Sequence, residues 1–489
     1  MPNAFSMPRQ HIMAWQSVFF GTLLSVVLLW PSAAHAHSFA RSYNIPVPFW
    51  LYAWTGMAAL LLSFLVLGWA MTSSAAAHQK SHLWRSNKPW FFRLFSLLAL
   101  ALLLLSIATG LWGNADAYRN LNMTLFWIGI VLILPYATIF IGNIYAEINP
   151  WRSFMPQSSQ GHWRYPSSWG YWPALLAYMA FIWVELFAGF GPKQLSLAIL
   201  IYSLFTLSAI WAFGLRDWLR YGDVFAFMLR LIGQLAPIHY RAASTEFPNG
   251  AWQWRWPLSG LAERHATHSS EVMFILFMLS STAFDGLHAT RWWSELYWID
   301  GFALLSPWLG SNIVTAYPAL KAGLVVFETL ALLLSPLLYF SLYVLCLWLA
   351  KRLLKSSVSL RELTYRFAYA LIPIAVVYHA SHYFTLVITQ GSQLPRLASD
   401  PFGWGWNIFG TASANPWIIL PDMNWVWHSQ VALILLGHIA GVYAAHQEAL
   451  RCFATSRQAM LSQLPMLMFM MALTVFGLWI LAQPLSPAA

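Results

Sequence analysis

Seven ionisable side chains, Glu185, Asp285, His288, Glu328, His379, His382 and His438, stand inside stretches otherwise apolar enough to cross a bilayer. An Asp in the middle of a membrane helix costs roughly 2.5 to 3.5 kcal/mol on insertion scales, so such groups are rarely there without a partner or a task. Their spacing adds to the signal. Asp285 and His288 are three residues apart, as are His379 and His382, and residues at that interval share one face of a helix. Imidazole nitrogens and carboxylate oxygens suit zinc, iron, manganese, nickel or copper, and helical bundles present ligands through such pairs. Asp285, His288, His379 and His382 are therefore predicted ligands of a divalent transition metal, zinc or similar. His428 and His438 would supplement them, and Glu328 or Glu185, at comparable depth, would act as general base. The same imidazoles would also serve haem or copper, with His379 opposite His438 as an axial pair.

These residues must be positioned by membrane helices. Of 489 residues, 59% are hydrophobic and only 9% charged, too few charges to cover a soluble surface of this size. Apolar runs of about 17 to 25 residues match a hydrocarbon core of about 30 Å, whereas the alternating pattern of a membrane barrel is absent. The expected fold is an all-α, polytopic bundle of about ten spans, near 47–71, 91–112, 123–144, 171–190, 194–214, 271–288, 321–350, 364–388, 428–446 and 464–484. Many of the 30 Trp and 20 Tyr fall at predicted helix ends, where amphipathic rings favour the headgroup zone.

The chain opens with Arg9 and His11, an apolar stretch from about Val18 to Trp30, Pro31, and the small-residue pattern Ala34-His35-Ala36. This predicts a cleavable signal peptide over 1–36, with 37–489 as one multi-span domain. With the mature amino terminus outside, the inward loops hold Lys80, Arg85, Lys88, Arg152, Arg164, Lys351, Arg352, Lys355, Arg361, Arg451 and Arg457, and the outward segments far fewer. That asymmetry predicts a bacterial inner-membrane protein with a periplasmic amino terminus and the ionisable layer on the periplasmic side. The loop 215–270 contains an amphipathic stretch, 221–235, expected to lie in the inner interface. The loop 390–427, rich in Gly, Pro and Trp, reads as a folded cap over the outer mouth. NIYAEINPWR, residues 143–152, reads as an inner-face cap with Glu147 paired to Arg152.

Several classes lack support. The net charge of +10 comes from Lys and Arg dispersed among short loops, which fits topology signals beside anionic lipid and not nucleic acid. Cys346 and Cys452 are too few for a disulfide framework. The sequence contains no phosphate-cradling glycine loop, C-x-x-C-H, H-E-x-x-H or G-x-S-x-G, the signatures of nucleotide-driven transport, covalent haem, zincin chemistry and serine hydrolysis.

The strings AHSFARSYNIPVPFWLY, INPWR, SSTAFDGLHAT, YHASHYFTLVITQGSQL and DPFGWGWNIFGTA, spread over most of the chain from His37 to about His446, resemble the bacterial membrane proteins of the fenitrothion hydrolase family, distinct from soluble phosphotriesterases. The resemblance implies hydrolysis of a lipophilic organophosphorus triester. A metal held by His and carboxylate would supply that chemistry by lowering the pKa of a bound water and polarising the phosphoryl oxygen. The partners expected are the bilayer and a small lipophilic substrate. Two readings compete with it: a haem or copper redox protein, and a transporter of metal or solute. Transport calls for polar groups at successive depths and usually for repeats, whereas here the ionisable groups crowd one side.

Overall fold

The computed structural model describes residues 48–71, 82–85, 89–153, 161–241, 250–310, 312–413 and 422–483. The expected signal peptide and the mature amino terminus lie outside them. Among the described residues the chain is a multi-pass helical protein. Eight helices are long and apolar enough to cross a membrane, or nine if a pair broken at Tyr383 forms one span. The expected span at 171–190 is a helix of only 16 residues.

In chain order the elements are α1 (Phe49–Ala70), β1 (His82–Arg85), α2 (Pro89–Trp112), α3 (Leu121–Ile141), α4 (Trp172–Phe187), α5 (Pro192–Phe213), α6 (Leu215–Tyr221), α7 (Val224–Ile232), β2 (Ile238–Arg241), β3 (Ala251–Trp254), α8 (Ser269–His288), α9 (Phe302–Leu309), α10 (Ile313–Leu354), α11 (Leu360–Phe367), α12 (Ile372–His382), α13 (Phe384–Gly391), α14 (Leu394–Ser399), α15 (Met423–Cys452) and α16 (Ser456–Ala482). They divide into two compact units. One takes the described residues within 79–260 and 385–420, the other those within 35–78, 261–384 and 421–489.

In the first unit, α2 and α5 meet along a buried polar seam. Asn122 Nδ2 donates to Pro192 O at 2.8 Å and to Ser196 Oγ at 3.0 Å, and Ser196 Oγ donates to Ser106 O. Any side chain at Gly110 would collide with Ser196 and Asn122, so glycine permits the approach. Small residues and short hydrogen bonds are what membrane helices use in place of a hydrophobic driving force. The loop after Ser399 is organised from within: Asp400 accepts from Trp404 N and Gly405 N, Ser399 Oγ accepts from Phe409 N and Thr411 N, and Phe402 O receives Asn114 N at 2.7 Å. Arg152 Nη1 meets Glu147 Oε2 at 2.8 Å, the ion pair expected from NIYAEINPWR.

The helical bundle agrees with the expected fold class, and two details were not expected. A three-stranded antiparallel sheet of four-residue strands, order β1-β3-β2, pairs Leu83 with Gln253 and His239 with Gln253. Strands of four residues are too short for a period-2 pattern to register. The expected interfacial helix is α7, and it is buried on nearly every side. Arg230, only partly buried, lies over the rings of Tyr171 and Phe227 and donates to Arg220 O at 2.6 Å.

The second unit is built around α8, 94% of whose most apolar window is buried. It packs on α10 and α12, and α12 packs on α15. At the start of α8 the buried Glu271 accepts from Tyr369 O–H at 2.7 Å and from Thr267 N at 2.9 Å, a carboxylate at a helix N-terminus where the exposed N–H groups favour it. On α15, a side chain at Gly437 would strike Val377. Glycine there sets the separation of α12 and α15.

Asp223 caps α7 by accepting Ala226 N at 2.7 Å and holds Tyr202 O–H at 2.6 Å, while burial pushes its carboxyl pKa above the usual range. Asp223→Ala should cost about 2 to 3 kcal/mol, from a lost cap and an orphaned buried phenol. Asp223→Asn, which retains a capping oxygen, should cost less than half as much. Equilibrium unfolding in detergent distinguishes the two, and equal losses would refute the capping role.

Candidate functional site

Asp285 lies one turn before the end of α8 and is 2% exposed. Its Oδ2 meets His382 Nε2 at 2.8 Å and accepts the phenolic O–H of Tyr383 at 2.8 Å. His382 ends α12 and Tyr383 is its C-cap, where the helix breaks before α13. Two consecutive side chains at the end of α12 thus reach one carboxylate, His382 through a ring nitrogen and Tyr383 through its phenol. A carboxylate in such surroundings is tolerable only when paired and hydrogen-bonded.

His288 stands one turn further along α8. Its Nδ1 donates to Asp285 O at 2.7 Å and lies 3.8 Å from Asp285 Oδ1, and its ring stacks on Phe284. His379 is one turn before Tyr383, with ring centroids 4.8 Å apart. The four predicted ligands are thus brought into one cluster on α8 and α12, bound together by a hydrogen-bonded Asp285–His382 pair. Among the described residues, no three His, Cys, Asp or Glu side chains converge as a metal's ligand set. Carboxylate and imidazole bond each other here, with the facing oxygen and nitrogen turned inward.

Beside the pair is a small cavity of about 10 Å³, lined by Thr282, Gly286, Ser381, His382, Gly477 and Ile480 among others. That is about the space one water molecule requires. A Cβ added at Gly286 would lie 3.7 Å from His382 Nδ1 and much closer to Ile480. Glycine therefore keeps this wall of the cavity open next to the imidazole.

The remaining predicted residues fall around this cluster or apart from it. Glu328, on α10, accepts from Trp293 Nε1 at 3.3 Å, and Trp293 packs edge-on against Phe284, so Glu328 is separated from the pair by a layer of rings. His428 is exposed in the first turns of α15, its Nδ1 on Asn424 O at 2.7 Å and its Nε2 3.5 Å from Tyr52 Oη. His438 is fully buried, with Nδ1 donating to Ile434 O at 2.9 Å and its ring edge-on to Tyr378. Its Nε2 has no hydrogen-bond partner among the described residues. Glu185 belongs to the first unit, on α4, where its charge acts on Tyr136. Tyr383 is a member of the cluster that sequence reasoning misses. Its position four after His379 and beside His382 is the available signal. No protein-family profile, curated protein or solved structure matches this chain.

Removing His382 leaves a buried carboxylate with one fewer partner, and losing one member of such a pair costs about 3 to 5 kcal/mol. His382→Ala should therefore destabilise the fold markedly, whereas His382→Ala combined with Asp285→Asn should recover part of the loss. A double-mutant cycle followed by thermal unfolding measures this coupling. Strict additivity would show that the two side chains do not act as a pair.

Proposed function

We propose that this protein is a membrane-embedded hydrolase of lipophilic organophosphorus triesters, with His382 as general base and Asp285 as the group that orients it. The observation that carries the reading is the buried 2.8 Å bond between Asp285 and His382 beside a water-sized cavity. A carboxylate bonded to one ring nitrogen fixes the tautomer and stabilises the imidazolium that forms when the other nitrogen takes a proton. In this reading His382 removes a proton from water in the cavity, the oxygen attacks phosphorus, and the bond to the leaving alkoxide or aryloxide breaks as the imidazolium returns that proton to it. The products are a phosphodiester and an alcohol or phenol. Tyr383 holds the carboxylate in place. An uncharged triester partitions into lipid, so a site within a helical bundle can receive it from the bilayer.

The sequence resemblance points to the same substrate class. The Lys and Arg asymmetry supports a site on the periplasmic side of an inner membrane, in a chain exported behind a cleaved signal peptide. The base is His382 in this reading because Glu328 is bonded to Trp293, whereas His382 lines the cavity. A redox reading rests on one observation, the buried Nε2 of His438 without a partner among the described residues, which is the form a haem or copper ligand would take.

Purified protein in lipid nanodiscs should hydrolyse a nitrophenyl phosphotriester, and His382→Ala and Asp285→Asn should each reduce turnover by about 10²- to 10⁴-fold, the usual worth of a positioned base. Undiminished turnover in His382→Ala ends the assignment. Treatment with a chelator should leave the rate unchanged; loss of activity restored by zinc would move Asp285 and His382 from base catalysis to metal ligation. A Soret band that disappears in His438→Ala would favour the redox reading.

A further inference from the structure

α12 stops at His382, and a helix that stops leaves backbone carbonyls that no later N–H of its own reaches. Tyr383 N meets the carbonyl of His379 at 3.1 Å, and Ser381 Oγ donates to Tyr378 O at 2.9 Å. The carbonyl of Ser381, the residue just before His382, is met from another helix. Gln430 Nε2, on α15, donates to it at 2.8 Å. Gln430 and Ser381 are each 1% exposed, so water does not compete for that bond.

Packing alone does not call for an amide at this position. A glutamine carries two N–H donors and an oxygen acceptor, and Gln430 Oε1 has no partner among the described residues. An apolar side chain of similar volume would fill the space without leaving a buried polar atom unsatisfied. What it would not supply is a donor for Ser381 O. A second grip lies two turns further along α15 on the same face, where Gly437 admits Val377 of α12. α15 thus holds α12 at the residue before His382 and again one turn earlier.

The consequence falls on the imidazole. The oxygen of Ser381 belongs to the planar peptide that ends at the Cα of His382, so a bond to that oxygen fixes the plane from which the His382 side chain departs. Ser381 and His382 both line the cavity, and His382 Nε2 lies 2.8 Å from Asp285 Oδ2. We propose that Gln430 is a positioning residue for His382: by clamping the Ser381–His382 peptide it holds one ring nitrogen against Asp285 and keeps the other at the cavity. Its effect on turnover rests on the reading of His382 as the base; the clamp itself rests on the bonds. A displacement of about 1 Å at a reacting group can cost about 10²-fold in rate, so Gln430 acts without touching substrate.

Gln430→Met removes the donor and keeps the volume. In lipid nanodiscs its folded fraction should hydrolyse a nitrophenyl phosphotriester with kcat lowered about 10- to 100-fold and KM within about twofold of wild type. A smaller folded fraction with kcat per folded molecule unchanged would make Gln430 a packing residue and overturn the proposal. NMR of isotope-labelled histidine gives a readout free of turnover. The ring N–H resonance of His382, assigned by its loss in the His382→Ala, Asp285→Asn double variant, should shift or broaden in Gln430→Met, and an unchanged resonance overturns the clamp. If wild type hydrolyses no triester, the hydrolase reading fails and this resonance still decides. Should Gln430→Met fail to fold, Gln430→Asn, which keeps the amide but is one methylene too short to reach Ser381 O, takes its place with the same expected outcomes.

Discussion

The second unit is constrained by a carboxylate that cannot be left alone. Asp285 is almost wholly enclosed, and the cost of an unpaired charge in such a place is comparable to the net stability of a whole domain. Its partners are contributed by another helix at the point where that helix ends, so the approach of α12 to α8, the break at Tyr383 and the glycine at position 286 are parts of one solution. Stability and chemistry use the same bond there: the contact that makes the charge tolerable also fixes the imidazole beside a space that holds water.

The device recurs at the far end of the same pair of segments. Tyr369 bonds Glu271 and Tyr383 bonds Asp285, and the interval between the two bonds is the same number of residues on each segment, about 21 Å of helix. α8 and α12 therefore run parallel and in register, clasped at two levels by phenol–carboxylate bonds. Between these levels the packing depends on small residues. Gly437 admits Val377 and Gly477 admits Tyr378, whose hydroxyl reaches Leu473 O. The two clasps fix the register of α8 and α12, and the glycines set how closely α15 and α16 approach α12.

Much of this is legible in the sequence because membrane helices announce themselves by length and hydropathy. The depth of Asp285, His288, His379 and His382 follows from counting residues along predicted spans, and their gathering on two helices agrees with that count. Convergence across helices cannot be read in the same way. Glu328 shares the depth but faces Trp293, and His428 faces Tyr52, because depth carries no information about azimuth. The amphipathic pattern of α7 suggests a lipid interface where the fold supplies a protein one. Tyr383 escapes notice because an aromatic beside membrane histidines looks like packing until its hydroxyl is located.

The near-complete burial of α8 bears on how the protein is made. With polar groups at Ser280, Ser281, Thr282 and Asp285 and almost no face turned to lipid, this segment is poorly suited to stand in a bilayer by itself. The helices that enclose it, α10 and α12, are synthesised after it. During biogenesis α8 therefore precedes the helices that cover its polar groups, and its burial is completed only after both have emerged from the ribosome.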